Sequence, residues 1–442
     1  MVVLGLGTNL GDRLAALRAA YSLLKQLPKT KVLQTSPVYQ SDALVTPNAP
    51  PDWHKPYLNC AVRCETSLSP FELLKCTKEI EIKLGRKPAA DWAPRPIDVD
   101  ILAWDERILR DEILHIPHEH LASRPFALWP LADVAPSWVS PVDNLAALTA
   151  CEQVSQWGSR FSGAAPFHTQ QIPHRIDTPS IMGILNVSPD SFSEQDKCSS
   201  PTLAIDAAVQ MAKCGADIID IGAISTRPSA QAVTEQEEWA RLAPVLSQTV
   251  QQCTALPLPA KISVDTWHFK TAEKALTAGA HIINDQSGLS NFDVLKLMLS
   301  TGCQVVCMHN LGLPANADKI MTSPITVISE VQKWAEAKLE LMVQNQIPLS
   351  QLILDVGIGF GKSANASLAL LQHIEQFKAM GVPLLIGHSR KSFLNLFTNH
   401  PAKDRDLESH LIALQIMQHV DYFRVHDVDG LARSFKVAAN FA

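Results

Sequence analysis

From residue 181 onward, short apolar runs recur, each followed by a helix-like segment. The runs are Ile181–Leu185, Asp217–Ile221, Ile262–Val264, His281–Ile283, Gln304–Met308, Leu352–Leu354, Leu384–Ile386 and Tyr422–Val425. Eight strands alternating with helices in roughly 260 residues is the rhythm of a (β/α)8, or TIM, barrel. That rhythm also says where chemistry belongs, because such barrels build their sites at the carboxyl ends of the strands. In order, the runs are followed by Asn186, Thr226-Arg227, Asp265, Asn284, His309, Asp355, Ser389-Arg390-Lys391 and His426. Polar residues that merely begin loops account for one or two of these. A whole set of acids, amides and cations converging on one mouth reads as a binding site.

The first part of the chain has another rhythm. An apolar stretch over residues 2–6 ends at Gly7-Thr8-Asn9, and a helical pattern follows (Leu14, Leu17, Ala20, Tyr21, Leu24). Strand-like stretches come next at Lys31–Tyr39 and Tyr57–Glu65. Ser69 then suits an N-cap and Pro70 the first helical position. The helix they open carries Leu73, Leu74, Thr77, Ile80 and Leu84, and Gly85 stops it. Ile97–Trp104 reads as a further strand. This βαββαβ order predicts an α+β, ferredoxin-like layer fold. Residues 159–179 hold serine, glycine, glutamine and three prolines without periodicity, and are expected to be a linker. The expected domains are therefore 1–158 and 180–442, in keeping with a 442-residue chain too long for one ordinary core.

Bulk properties narrow the function class. Hydrophobic residues make up 46% and charged residues 19%, as in a globular protein. A formal charge of −6 gives no footprint for nucleic acid. No apolar run approaches the roughly 20 residues of a membrane helix, and the N-terminus lacks the basic region of a signal peptide. Nine cysteines are scattered without C-x-x-C, which suits buried thiols in a reducing cytoplasm and gives zinc no support.

Asp98 and Asp100 stand two apart on a strand-like run, so both carboxylates share one face. Two hard oxygen ligands facing one way suit Mg2+, which is held by one or two carboxylates plus substrate phosphates. Arg86, Lys87, Arg95 and Arg124 supply cations that can bind phosphate oxygens. A D-x-D alone is weak evidence, and Trp92-Ala93-Pro94-Arg95 before it makes it specific. Together with Gly7–Asp12, Tyr57–Val62, Ile80-Glu81, Gly85-Arg86, Ile116-Pro117-His118 and Phe126–Leu131, these residues resemble 6-hydroxymethyl-7,8-dihydropterin pyrophosphokinase over about residues 1–140. The resemblance implies transfer of the β,γ-pyrophosphoryl group of ATP to the pterin hydroxymethyl oxygen. It implies Asp98 and Asp100 as Mg2+ ligands, and Arg86 and Arg95 as catalytic cations. It places Lys87, Trp92, His118 and Arg124 on ATP, and Tyr57, Asn59 and Phe126 on the pterin.

The strand ends resemble a second family. Met182–Phe192, Asp220-Ile221-Gly222 with Ser225–Pro228, Ser263–Thr266, Ile282–Asp285, Met308-His309, Asp355–Lys362, Ser389–Ser392 and Arg424–Asp427 are similar to dihydropteroate synthase across residues 180–442. The residue types agree with that chemistry, since a carboxylate reads the amidine-like edge of a pterin with two hydrogen bonds. The resemblance implies pterin contacts from Asp265, Asn284, Met308, Asp355 and Lys391. It implies a p-aminobenzoate pocket of Thr226, Pro228, Phe360, Lys391 and Ser392. Pyrophosphate falls to Asn186, Arg227, Arg424 and His426, with Asn186 as a Mg2+ ligand. Lys391 is also expected to be catalytic, and sulfonamides are expected to compete with p-aminobenzoate. Gly357–Ser363 misses the nucleotide-binding P-loop pattern by one residue, at Val356.

The combined expectation is a bifunctional enzyme that installs a pyrophosphate and then expels it. Its partners are the small molecules hydroxymethyldihydropterin, ATP and p-aminobenzoate, and barrels of this type admit a homodimer. A pterin-binding methyltransferase-like barrel and a non-catalytic pterin-binding module are the alternatives. The fused first domain, Thr226-Arg227 and Ser389-Arg390-Lys391 speak against the first, and the presence of Asp98, Asp100, Arg95 and Lys391 speaks against the second.

Overall fold

A computed structural model describes residues 1–45, 48–87, 93–147, 169–187, 200–224, 233–312 and 319–439. Met1–Asp177 form one compact unit and Thr178–Ala438 a second. The expected site residues Trp92, Thr226, Arg227 and Pro228, the stretch 193–196 that lacks the glycine pair usual in the second family, and much of the expected linker lie outside the described residues.

The first unit is an antiparallel sheet with helices. Its elements are β1 (Val2–Thr8), α1 (Arg13–Lys25), β2 (Thr30–Thr35), β3 (Tyr39–Ser41), β4 (Tyr57–Thr66), α2 (Pro70–Lys83), β5 (Asp98–Trp104), a small hairpin of β6 (Leu109–Arg110) and β7 (His115–Ile116), α3 (Pro125–Val134) and β8 (Gln170–Gln171). The sheet order is β5-β1-β4-β3-β8, with β2 also on β4, which is the expected ferredoxin-like arrangement. Helix α2 starts as its residues dictate. The Ser69 hydroxyl accepts the Glu72 N–H at 3.3 Å, the Glu72 carboxylate accepts the Ser69 N–H at 2.7 Å, and Pro70 opens the first turn.

Two expectations are corrected here. The run Lys31–Tyr39 is not one strand but two, β2 and β3, separated at Ser36-Pro37. Pro37 has no N–H to give to a ladder, while the Ser36 hydroxyl takes over a ladder position by accepting the Ala61 N–H at 2.9 Å. The segment expected to be linker contains β8, which pairs antiparallel with β3 through Tyr39–Gln171 and Gln40–Gln170. Just beyond it, Arg175 is buried with its guanidinium forked onto Asp177 at 2.9 Å and bonded to the Thr35 carbonyl at 3.0 Å.

The second unit is the expected closed barrel. Its strands are β9 (Ser180–Asn186), β10 (Ile218–Gly222), β11 (Lys261–Asp265), β12 (Ile282–Asp285), β13 (Gln304–Met308), β14 (Leu352–Asp355), β15 (Leu384–Ile386) and β16 (Tyr422–Val425). All pair in parallel, and β16 closes on β9. Between them run α4 (Pro201–Lys213), α5 (Glu235–Thr254), α6 (Phe269–Thr277), α7 (Asp293–Thr301), α8 (Thr326–Gln344), α9 (Ala364–Gln372), α10 (Glu375–Lys378) and α11 (Asp406–Ile416), and α12 (Val428–Ala438) follows. Met182, Ile218, Ile282, Val306, Ile353 and Leu385 fill the barrel interior, and a larger apolar layer lies between strands and helices. Register then does the positioning. Asn186 lies opposite Gly222, Gly222 opposite Asp265, and Asp265 opposite Asn284, so one row of the barrel's upper end carries three expected site residues. Met308 lies opposite Asp355 on the next strands.

Candidate active sites

In the first unit, the glycines of β1 make the room. Gly7 and Gly5 lie opposite Asp98 and Asp100 on one side and opposite Asn59 and Ala61 on the other. The two carboxylates therefore share one face beside residues that have no side chain. A Cβ on Gly7 would stand 3.1 Å from the Asn59 carbonyl oxygen. The result is an open cleft lined by Tyr57, Asn59, Arg95, Asp98, Asp100, His118, Arg124 and Phe126 among others. The cleft brings together eight of the expected residues. Arg86 joins them by bonding Asp98, whereas Lys87 is exposed beyond it.

Charge is unevenly distributed over the acid pair. Arg95 reaches the second oxygen of Asp98 at 2.9 Å, and its backbone is clamped by Asn9, whose side-chain Oδ1 accepts the Arg95 N–H at 2.8 Å. Burial pushes the Asp98 carboxyl up, but Arg95, Arg86 and Lys78 outweigh it and hold it below the usual carboxylate range. Asp100 goes the other way: burial and the charge of Asp98 push it up to about 7. Burial and Arg124 lower His118 to about 4, so its imidazole is neutral.

Sequence reading missed Lys78 and left Glu81 without a role. The Lys78 ammonium lies 2.7 Å from Glu81 and 3.9 Å from each of Asp98 and Asp100. Glu81 is buried and ties the group to the strand by accepting the Val99 N–H at 2.8 Å, with Arg86 on its other oxygen at 2.6 Å. The signal was available, since an i, i+3 Lys–Glu pair on α2 ends one turn before Arg86.

In the barrel, Arg424 rises from β16 into the interior. Its Nε donates to Asp220 at 2.6 Å and its Nη2 to Asp265 at 2.8 Å. The Asn284 amide donates to the same Asp220 oxygen at 2.9 Å, and the Gln286 amide donates to both Asp265 oxygens at 2.7 and 2.6 Å. Burial pushes Asp265 up to about 7 against the pull of Arg424, and the charge of Asp220 adds to the rise. Asp220 was quoted in the resemblance without a role, and Gln286 was not noticed. An acid inside the otherwise apolar run of β10 was the legible signal for the former.

The other side of the mouth is cationic. Burial raises the Asp355 carboxyl against the nearby Lys391, and Asp355 accepts the Gly357 N–H at 2.8 Å. The Lys391 ammonium bonds the Ile358 carbonyl at 2.5 Å and lies 4.3 Å from the centre of the Phe360 ring. Burial lowers Lys391 to about 8, although Asp355 opposes this. The Ser389 hydroxyl meets His426 Nδ1 at 3.0 Å, and burial with Arg390 and Arg424 lowers that imidazole to about 3. Met308 is buried, Asn186 is exposed at its strand end, and Ser392 is exposed at the start of a short 3-10 turn.

Lys362 explains the glycine-rich stretch that missed the P-loop pattern. Its buried ammonium bonds His309 Nδ1 at 2.8 Å, the Gly357 carbonyl at 2.9 Å and the Phe360 carbonyl at 3.0 Å. A cation at the centre of the turn holds the carbonyls inward, leaving no nest of N–H groups for phosphate. The stretch serves instead as the ledge that presents Phe360 and the Ile358 carbonyl to Lys391.

Comparison with known proteins agrees with this division. Residues 3–136 match the family model of 7,8-dihydro-6-hydroxymethylpterin-pyrophosphokinase, and residues 182–426 match that of pterin binding enzymes. A folate synthesis bifunctional protein of Chlamydia caviae is 32% identical over 99% of this chain and 97% of its own length. The mitochondrial folate synthesis bifunctional protein of Pisum sativum is 33% identical over 97% of this chain and 86% of its own. Among solved structures, dihydropteroate synthase from Anaplasma phagocytophilum with bound 6-hydroxymethylpterin-monophosphate is 32% identical, with a TM-score of 0.55, covering 60% of this chain and all of that one. The Xanthomonas albilineans dihydropteroate synthase with 4-aminobenzoic acid is 33% identical, with a TM-score of 0.54, over 59% of this chain and 92% of that one. With both families matched in order, and relatives aligned along almost the entire chain, the protein belongs to the bifunctional folate-synthesis family, a hydroxymethyldihydropterin pyrophosphokinase joined to a dihydropteroate synthase.

Proposed function

We propose that the Asp98/Asp100 cleft makes the pterin pyrophosphate that the barrel mouth then consumes, with the first unit, Met1–Asp177, and the barrel unit, Thr178–Ala438, each competent for one step. The observation that carries the first half is the acid pair itself. Two carboxylates share a strand face, and Asp100 is pushed up to about 7 by burial and by Asp98. Two such oxygen ligands fit Mg2+, which needs only one or two carboxylates when substrate phosphates complete its shell. Bound there, Mg2+ would neutralise the ATP phosphates and the charge that develops in transfer.

The remaining roles fall to the chain's own groups. Arg86 and Arg95 face the transferring phosphorus, while Lys87, Trp92, His118 and Arg124 hold the nucleotide. Asn59 reads the pterin edge between Tyr57 and Phe126. The pterin hydroxymethyl oxygen attacks the β-phosphorus and releases its proton to solvent, an O–P bond forms, and the bond from the β-phosphorus to the bridging oxygen breaks, so that AMP leaves with its electrons.

In the barrel, Asp265, Asn284 and Asp355 read the pterin beside Met308. Arg424, His426, Arg227 and Asn186 receive the leaving pyrophosphate, with Asn186 also offering a Mg2+ ligand. Thr226, Pro228, Phe360 and Ser392 hold p-aminobenzoate. Its amine attacks the pterin CH2 carbon, the C–O bond breaks toward pyrophosphate, and the amine loses a proton. Lys391, lowered to about 8 by burial and lying over the Phe360 ring, holds the pterin carbonyl. Rate comes from orientation and from stabilising the leaving charge.

The described cysteines are free and mostly buried, which suits a reducing compartment, and we place the enzyme in the cytoplasm. Among the described residues, no helix is long and apolar enough to cross a membrane. Leu396, Phe397, Leu407 and Leu411 are exposed on the barrel unit and support self-association through it.

The test is a coupled assay with hydroxymethyldihydropterin, ATP, Mg2+ and p-aminobenzoate. Dihydropteroate should form only when all four are present, and pterin pyrophosphate should accumulate when p-aminobenzoate is omitted. Formation of neither product refutes the reading.

A further inference from the structure

Gln286 follows β12 immediately and is 5% exposed. Its Nε2 stands 2.7 and 2.6 Å from the two oxygens of Asp265. Above about pH 7 the Asp265 carboxylate is ionised and only accepts, so the NH2 faces Asp265 and Oε1 points away from it. That Oε1 is buried and has no hydrogen-bond partner among the described residues. The backbone behind it is pinned, because Asn310 Nδ2 donates to the Gln286 carbonyl at 2.7 Å. A buried carbonyl without a donor calls for an explanation, and a ligand N–H supplies one.

The surroundings make this side chain specific. Asp265 is faced by Arg424 from β16, by Asp220 from β10, by Glu238 from α5 and by Gln286. Arg424 is shared with Asp220, so Gln286 is the neutral donor dedicated to Asp265. We propose that Gln286 is a positioning and specificity residue of the pterin subsite: its NH2 locks Asp265 as an acceptor, and its Oε1 offers a second acceptor to an N–H of the bound heterocycle. This rests on the pterin reading of the barrel mouth.

The test uses the full-length chain, with binding of 6-hydroxymethyl-7,8-dihydropterin pyrophosphate measured by calorimetry between about pH 5.5 and 8.5, without p-aminobenzoate. Gln286→Leu should bind about 10- to 100-fold more weakly near pH 8, the effect of losing hydrogen bonds to a charged group. Its acid limb should move to higher pH, because losing the donor favours protonated Asp265. Gln286→Glu should respond in the opposite direction, recovering affinity as pH falls and a shared proton lets the new carboxyl donate to Asp265. A merely structural glutamine would give neither pH response. If both variants bind within about twofold of the parent, with its pH profile, the role of Gln286 is overturned and the pterin reading stands. If the parent chain does not bind the pterin, the reading of the barrel mouth falls instead. Should Gln286→Leu fail to fold by circular dichroism, the pH response of Gln286→Glu decides alone.

Discussion

Replacing Arg424 with methionine should expose how the barrel interior balances its charges. The guanidinium is the cation shared by Asp220 and Asp265, at 2.6 and 2.8 Å. Asp220 is 0% exposed and Asp265 9%, so water cannot replace it. Removing one partner of a buried ion pair costs about 3–5 kcal/mol, because the remaining charge is left uncompensated. We expect Arg424→Met to destabilise the barrel unit by about that amount near pH 8, read as a shift in its urea transition. The sign with pH follows from linkage. Without Arg424, the Asp265 carboxyl, already pushed up to about 7, rises further above the unfolded value of about 4, so the folded state binds more protons than the unfolded state. Stability of the variant should therefore fall as pH rises from about 4 through 7, and the deficit should shrink toward pH 5. Adding Asp220→Asn removes one stranded charge and should recover about 1–3 kcal/mol as a coupling energy. A deficit that is equal at pH 5 and pH 8, or no recovery in the double variant, refutes the charge argument.

Other substitutions separate the two halves. Asp98→Ala should abolish ATP-dependent pyrophosphorylation while sparing synthase activity on supplied pterin pyrophosphate, followed as dihydropteroate formed; loss of both activities contradicts independent units. Lys391→Ala should spare the first step and cripple p-aminobenzoate coupling, and parental coupling rates in a steady-state assay would sink the role given to it. Gly357→Ala should weaken the synthase and lower stability by about 1–3 kcal/mol, from strain at a positive φ of 68° and from a Cβ placed 1.9 Å from the His309 carbonyl oxygen. An unchanged melting temperature with unchanged synthase activity refutes that.

The parts of the fold that were legible are those in which residue type and period coincide. Asp98 and Asp100 could be placed on one face because a strand has period two, and the register against Gly7 and Gly5 shows why that face is open. Asn186, Asp265 and Asn284 could be placed at one mouth because successive barrel strands end level. What stayed hidden depends on contacts between distant residues. Gln286 looks like the start of a loop until Asp265, on the neighbouring strand, is seen to accept its amide. Lys78 looks like a solvated helix lysine until β5 brings two acids within 3.9 Å. The strand Gln170–Gln171 is two polar residues long, and only pairing with β3 distinguishes it from coil.

That short strand has a practical consequence. The first unit does not finish with α3 at Val134, but gathers in residues up to Asp177. Arg175 and Asp177 then fasten the returning segment to Thr35. A gene cut made upstream of Gln170, in the compositionally obvious place, would strip the kinase of its outermost β-ladder and leave Tyr39–Ser41 as a raw sheet edge. Separate halves of this enzyme are better made by dividing the chain between Asp177 and Thr178.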